Sequence, residues 1–311
     1  MGSIPAIGME AKVFPFPPVL ANIIWNGLHI LPIEKFVGKV DVFHSSDWAE
    51  PPSNAFKVTT VHDLYPFKFP RLVHPKVLKV HQRKMAWVQE ESKRVIVPSE
   101  STKKDLAELG IKEDIIRVIP EAPSMSRALV EEIEAAKKKY GIQGDYVISI
   151  GLTPLKNIKR IIKAFQLAKA GQSVKLVIVG RPVSIKIEEE RDLRILGHVS
   201  REDLAALLTG SKGLIFASHY EGSGIPILDG FACGVPVVTS STASMPEVAG
   251  GAAILVDPHD VNSIADGIIK ALKGPKGFIE KGYERVKMFS WGKTAQMTLD
   301  IYNEARQESE S

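Results

Sequence analysis

The sequence predicts two doubly wound α/β domains, each built on a parallel sheet. Two observations carry this expectation. Short β-rich runs alternate with charged helical stretches, the pattern that βαβ units leave in a sequence. The alternation comes in two blocks, separated by the charged helical connector "EAPSMSRALVEEIEAAKKKYGIQG" (121–144). At 311 residues the chain also suits two domains better than one. The expected division is 1–125 for an amino-terminal domain, 126–288 for a second, and 289–311 for a final helix.

The elements follow in order. Residues 1–10, "MGSIPAIGME", lack the basic start and apolar run of a signal peptide, and Ala6 stands where a myristoylation pattern needs Ser or Thr. From Val13 to Ile33 there is no Asp, Glu, Lys or Arg, enough on length alone for a membrane span. Pro15, Pro17, Pro18, Pro32, Asn22, Asn26 and His29 interrupt it, so the stretch reads as a loop followed by a short amphipathic helix. Peripheral contact with a membrane or a lipid-linked acceptor is the functional alternative for that face. The strand candidates of the first block are "KVDVFHSS" (39–46), "KVTTVHDL" (57–64) and "RVIVPS" (94–99). A basic amphipathic helix is expected over 74–93, and a second in "ESTKKDLAELG".

The second block runs "DYVISIGL", "NIKRIIKAFQLA", "VKLVIVGR", "LRILGHVS", "REDLAALLTG", "GLIFAS", "GIPILDGFACG", "VPVVTS", "AAILVDP" and "DVNSIADGIIKAL". Most of its strands run into loops carrying Gly, Ser, Thr or Pro, and in such sheets ligands bind beyond the carboxyl ends of the strands. The final helix has Phe289, Trp291, Met297, Leu299 and Tyr302 as apolar anchors, and the tail "RQESES" is expected to fray.

A net charge of +4 suits an anionic ligand or an acidic membrane surface but is too weak to argue for nucleic acid. The single cysteine, Cys233, sits among small and apolar residues and reads as a core thiol, which favours a reducing, cytoplasmic setting, possible also at the inner face of a membrane. The eight histidines show no ligand spacing, and no Asp-x-Asp occurs, so no metal and no cofactor are expected.

The most informative stretch is "YEGSGIPILDGFACGVPVV" (220–238). Gly222 and Gly224 relieve the backbone of Cβ, and Pro226 suits a first helical turn, so a helix is expected to start near Ile225. Its unpaired N–H groups would favour a phosphate beside Glu221, with Asp229 eight positions further on. A structural alternative is that Glu221 merely caps the helix and Asp229 merely lies on its face.

This stretch, "PLKN" after the first strand of the second domain, "VTTVHDL", "VPSESTKKDL" and "LVDPHDVNSIADGI" together resemble the retaining, nucleotide-sugar-dependent glycosyltransferases of family four, with the GT-B fold. The resemblance runs from about Lys39 to the carboxyl end. It implies that Glu221 contacts hydroxyls of the transferred sugar and that Asp229, where the family has Glu, holds the nucleotide ribose. The turn Gly222, Ser223, Gly224 and Ile225 would cradle the diphosphate. Gly151 and Lys156 would lie at the diphosphate, with Lys156 stabilising the leaving group, although Leu155 stands where the family usually has Arg. His62 would reach the transferred sugar. Gly197, His198 and Val199 would form the base-binding turn. Ser99 and Ser101 could bind phosphate or cap the following helix, and Glu247 reads as structural.

The resemblance implies a metal-independent, retaining transfer of a hexose, of mannose or glucose type, from a GDP- or UDP-sugar to a glycan or lipid-linked hydroxyl. In the family a strand, a glycine-rich loop and a long helix precede the part equivalent to "KVDVFHSS". Only 38 residues precede Lys39 and they contain no such series, so the first domain is expected to be incomplete. An exposed strand edge would then invite a homodimer. Two alternatives stand: a non-catalytic nucleotide-sugar-binding remnant or partner subunit, and a nucleotide-sugar epimerase of the same fold, for which no cleft carboxylates are legible.

Overall fold

The computed structural model describes residue 14 and residues 17–46, 48–169, 171, 173–182 and 187–310. The expectations for residues 1–10 and for Pro15 lie outside the described residues. Two parallel sheets organise the chain. The first has strands β1 (Val42–Ser45), β2 (Phe56–Thr60), β3 (Arg94–Val97) and β4 (Ile116–Val118), in that spatial order. Its helices are α1 (Pro75–Glu91) and α2 (Glu100–Glu108). Strand β4 is only three residues long and follows a 3-10 turn, which is why no β-rich run announces it.

The connector supplies α3 (Val130–Lys139), and the second sheet follows: β5 (Asp145–Leu152), α4 (Ile158–Ala168), β6 (Val174–Pro182), β7 (Leu193–Ile195), α5 (Arg201–Thr209), β8 (Leu214–Phe216), α6 (Ile225–Cys233), β9 (Val237–Ser240), β10 (Ile254–Val256) and α7 (Val261–Leu272). The strand order is β10-β9-β8-β5-β6-β7, all parallel. The order reverses beside β5, and the crevice at such a switch point is where ligands bind.

Each sheet is covered on both faces, so successive strand residues enter different cores. In β5, Val147 joins the cluster with Ile161 and Phe165 of α4, while Ile148 joins the cluster with Leu228 and Phe231 of α6. In β3, Val95 and Val97 pack with Met85 and Val88 of α1, whereas Ile96 turns to the opposite face. Lys84 is also buried on α1, a position that its basic outer face did not suggest.

After α8 (Phe278–Val286), the helix α9 (Trp291–Glu310) returns to the first sheet. Ile301 is buried against Val58, Ile96 and Ile119, with Met297 and Tyr302 beside it. Arg94 Nε donates to Glu304 at 2.5 Å, and Trp291 Nε1 donates to the Pro123 carbonyl at 3.0 Å. Leu299, expected as a contact, faces outward, and Phe289 packs on the second domain instead. The tail expected to fray is helical through Glu310.

Residues 18–37 form three short helices, Pro18–Ala21, Asn22–Leu28 and Glu34–Val37. They lean on α1 through Trp87, whose indole N–H donates to the Asn26 carbonyl and whose ring stacks on His29. Val19, Ile23 and Leu28 remain exposed.

Candidate active site

The carboxyl ends of the second sheet's strands converge on Lys156. Gly151, at the end of β5, has φ +95°, and a Cβ there would lie 2.8 Å from Lys156 Cγ. Glycine therefore lets the lysine stem lie across the strand end. The Lys156 ammonium sits 4.8 Å from the centre of the Phe216 ring and donates to Glu221 Oε1 at 2.6 Å. This ion pair is only partly open to solvent, so each charge lacks full hydration and relies on the other.

Glu221 is held from behind, because Ser244 Oγ donates to its carbonyl at 2.8 Å. Helix α6 then starts at Ile225 with Gly224 at its N-cap and Pro226 in its first turn, as the spacing predicts, and no side chain caps it among the described residues. Its first N–H groups and the positive end of its dipole point to the same turn as the Lys156–Glu221 pair.

The first domain meets this turn directly. The His62 carbonyl lies against Gly222, whose own carbonyl accepts from Ser99 Oγ at 2.7 Å and Thr102 Oγ1 at 3.3 Å. Tyr220 donates to Asp105 at 2.7 Å. Glu247, from a short helix Met245–Ala249, accepts from Glu100 N–H at 2.9 Å and Ser101 N–H at 3.1 Å. A carboxylate of the second domain thus occupies the positive end of α2 in the first. His62 itself is half-exposed, and its Nδ1 lies 3.0 Å from Glu121 Oε1.

Lys156, Glu221, Gly222, Ser223, Gly224, Ile225 and Gly151 therefore share one corner of the cleft, and His62 faces it from the first domain. Two expected donor ligands are placed differently. Ser99 is fully buried, capping α2 through Thr102 N–H while bonding Gly222, so its hydroxyl is spent inside the domain contact. The capping alternative describes it. Ser101 donates its N–H to Glu247.

Asp229 is 2% exposed, and its carboxylate accepts from Ser124 N–H at 2.6 Å, Ser124 Oγ at 3.0 Å and Met125 N–H at 2.9 Å. Burial pushes its carboxyl above the usual range, against the pull of these hydrogen bonds. One methylene shorter than the Glu of the resembling pattern, it stays against the helix and holds the crossing segment, and a ribose would have to share or displace those donors.

At the end of β7, the Gly197 carbonyl accepts from Gly180 N–H at 2.8 Å, His198 is exposed and Val199 enters the core. Cys233 is buried, as a core thiol should be, and burial pushes it up to about 11.

Several residues carried no sequence signal. Glu121, which follows β4 after Ile119 and Pro120, lies in the stretch read as a connector. Arg201, the first residue of α5, donates to the Ser124 carbonyl. Arg160 donates to Asn157 Oδ1 at 3.2 Å and lies 3.3 Å from His219 Nε2. It adds a cation close to the loop where Leu155 replaces the expected Arg. Burial first, then His259 and Arg160, pull His219 down to about 4, so its ring is neutral at neutral pH.

Comparison with known proteins decides the family. A family model described as Glycosyl transferases group 1 matches residues 131–286, half of the chain, and one described as Glycosyltransferase Family 4 matches residues 6–122. The chain belongs to the group 1 glycosyl transferases. Among its relatives, the O-antigen chain mannosyltransferase B of Escherichia coli is 27% identical over 286 residues, covering 84% of this chain and 74% of that protein. The serotype-specific mannosyltransferase WbdA of the same organism is 27% identical over 280 residues, and the match covers 81% of this chain but 34% of WbdA.

Two solved structures share the fold. A sucrose-phosphate synthase from Thermosynechococcus elongatus superposes with TM-score 0.71 at 18% identity, covering 88% of this chain and 76% of its own. Anabaena Alr3699/HepE, in complex with UDP and glucose, gives 0.70 at 15%, covering 87% and 80%.

This group 1 glycosyl transferase has the GT-B fold, two parallel-sheet α/β domains facing a cleft, and is a sugar-transferring enzyme. No helix among its described residues is long and apolar enough to cross a membrane, and none of their His, Cys, Asp and Glu side chains cluster in threes as a metal site would need.

Proposed function

We propose that this enzyme is a retaining hexosyltransferase that moves mannose, with glucose as the alternative, from a GDP- or UDP-sugar to a hydroxyl of a glycan or lipid-linked acceptor, without a metal. The observation that carries the reading is the Lys156–Glu221 pair at the uncapped start of α6. The pair offers a cation and backbone N–H groups to a diphosphate, and a carboxylate to the hydroxyls of the sugar it carries. Mannose leads because the curated relatives above are named as mannosyltransferases.

In this reading the donor diphosphate draws Lys156 away from Glu221. The leaving nucleoside diphosphate gathers negative charge as the glycosidic bond breaks, and Lys156 and the α6 dipole stabilise it. Freed Glu221 accepts from sugar hydroxyls. The acceptor hydroxyl attacks on the face the diphosphate leaves, and the departing phosphate takes its proton.

A cavity of about 200 Å³ in the first domain, lined by Trp48, His62, Tyr65, Phe67, His81 and Lys84, lies beside His62 and suits the acceptor's terminal sugar. Domain apposition at Gly222 excludes water that would compete as acceptor. The enzyme works in a reducing, cytoplasmic compartment, where Cys233 stays a thiol. The outer edge of β1 has no partner strand among the described residues. It is the surface through which two copies would pair, and a monomeric mass at high concentration rejects that pairing.

The test is to supply GDP-mannose or UDP-glucose with an oligosaccharide acceptor in metal-chelating buffer and to read the new linkage by NMR. An α-linked product from an α-linked donor supports retention. An inverted linkage, a requirement for divalent cation, or an isomeric nucleotide sugar formed without acceptor rejects it, the last in favour of an epimerase. That alternative gains one observation from the structure, a cleft carboxylate at Glu121.

A further inference from the structure

Glu121 contacts His62 of the candidate machinery without having been assigned a part in it. It follows β4 and Pro120, where the chain leaves the first domain. Its carboxylate is 15% exposed and lies 3.0 Å from His62 Nδ1. A carboxylate this enclosed needs a donor, and the His62 ring supplies one. Burial alone would push its carboxyl upward, yet the hydrogen bond of His62 holds it below the usual range.

We propose that Glu121 is a positioning residue for sugar transfer: it fixes the tautomer and ring orientation of His62 where the first domain faces the cleft. An acceptor at Nδ1 selects the Nδ1–H form and makes Nε2 the ring's acceptor atom, and it removes rotation about χ2. In the diphosphate corner Lys156 is held by Glu221, not by Glu121. This inference rests on the transferase reading for its kinetic consequence and on the structure alone for its geometric one.

The experiment compares Glu121→Gln, Glu121→Asp, His62→Ala and the Glu121→Gln/His62→Ala double variant, each first checked by thermal melting. Expected results are a fall in kcat for Glu121→Gln of about 10- to 100-fold, with nucleoside diphosphate affinity unchanged and partial rescue by Glu121→Asp. In the His62→Ala background the same change has no further effect, because its action runs through His62. Multiplicative losses in the double variant, or loss of nucleotide affinity, assign Glu121 to general structure and overturn the proposal.

Imidazole ¹⁵N shifts of His62 give a readout independent of transfer. A protonated Nδ1 in the wild type that changes in Glu121→Gln is expected, and identical shifts in both overturn it. A wild-type protein that shows the Nδ1–H form but transfers no sugar from any donor contradicts the function and not the geometry, and the kinetic role then falls with it.

Discussion

The carbonyl oxygen of His62 occupies the space in which a side chain on Gly222 would begin: a Cβ there would lie 1.8 Å from it. The first domain therefore closes on bare backbone, directly between Glu221 and Ser223. Backbone cannot yield as a flexible side chain can, so an added methyl has to part the domains.

Gly222→Ala is accordingly expected to lower sugar transfer by about 100-fold or more, the loss that a displacement near 1 Å can produce. Nucleotide affinity should fall by less than transfer, because Lys156 and the start of α6 stay in place while the diphosphate turn at Gly222 shifts. Steady-state kinetics beside calorimetric titration of GDP and UDP check the split.

Substitution of the ion pair should separate binding from chemistry. Lys156→Ala is expected to cost about 10²- to 10³-fold in kcat, the usual effect of removing one group that stabilises developing charge. Glu221→Gln should act in opposite directions on the two steps. It releases Lys156 from the 2.6 Å pair, so nucleoside diphosphate binds more tightly, while transfer falls because the sugar loses its carboxylate. Titration and turnover of the same preparation check both.

Asp229 is predicted to matter for stability as well as for any ribose contact. Asp229→Ala leaves the N–H groups of Ser124 and Met125 without their acceptor, which costs about 1–3 kcal/mol for each donor that stays buried. A lower melting temperature with the transition still cooperative is the expected outcome.

The Glu121 carboxyl gives a pH dependence with a definite sign. Its folded value is depressed, so its contribution to stability is present above the ordinary carboxyl range and disappears as pH falls through the folded value. The stability advantage of the wild type over Glu121→Gln should therefore shrink on acidification from neutral pH. Urea unfolding of both proteins across that range measures it.

Much of this was legible in the sequence because its signals are local. Strands such as "DYVISIGL" and "VKLVIVGR" are long, buried and punctuated by glycine, and the start of α6 is announced by Gly224 and Pro226. The positions that escaped reading depend on packing between distant segments. Strand β4 has three residues and no period to detect. Glu121 meets His62 only because the first domain's exit lies beside it, 59 positions along the chain. Asp229 matched a spacing, but the spacing does not reveal that Ser124 and Met125 fill its carboxylate. In α9 the apolar residues were visible, yet the buried stripe runs through Met297 and Ile301 to the Glu304–Arg94 pair, which leaves Leu299 outside.

The most direct measurement is release of free nucleoside diphosphate from GDP-mannose and UDP-glucose, without acceptor and without divalent cation, by the wild type, Glu221→Gln and Lys156→Ala. A slow hydrolysis with one donor, lost in both variants, is the predicted result and names the base. Hydrolysis that persists undiminished in both variants would contradict the assignment of the Lys156–Glu221 corner as the donor site.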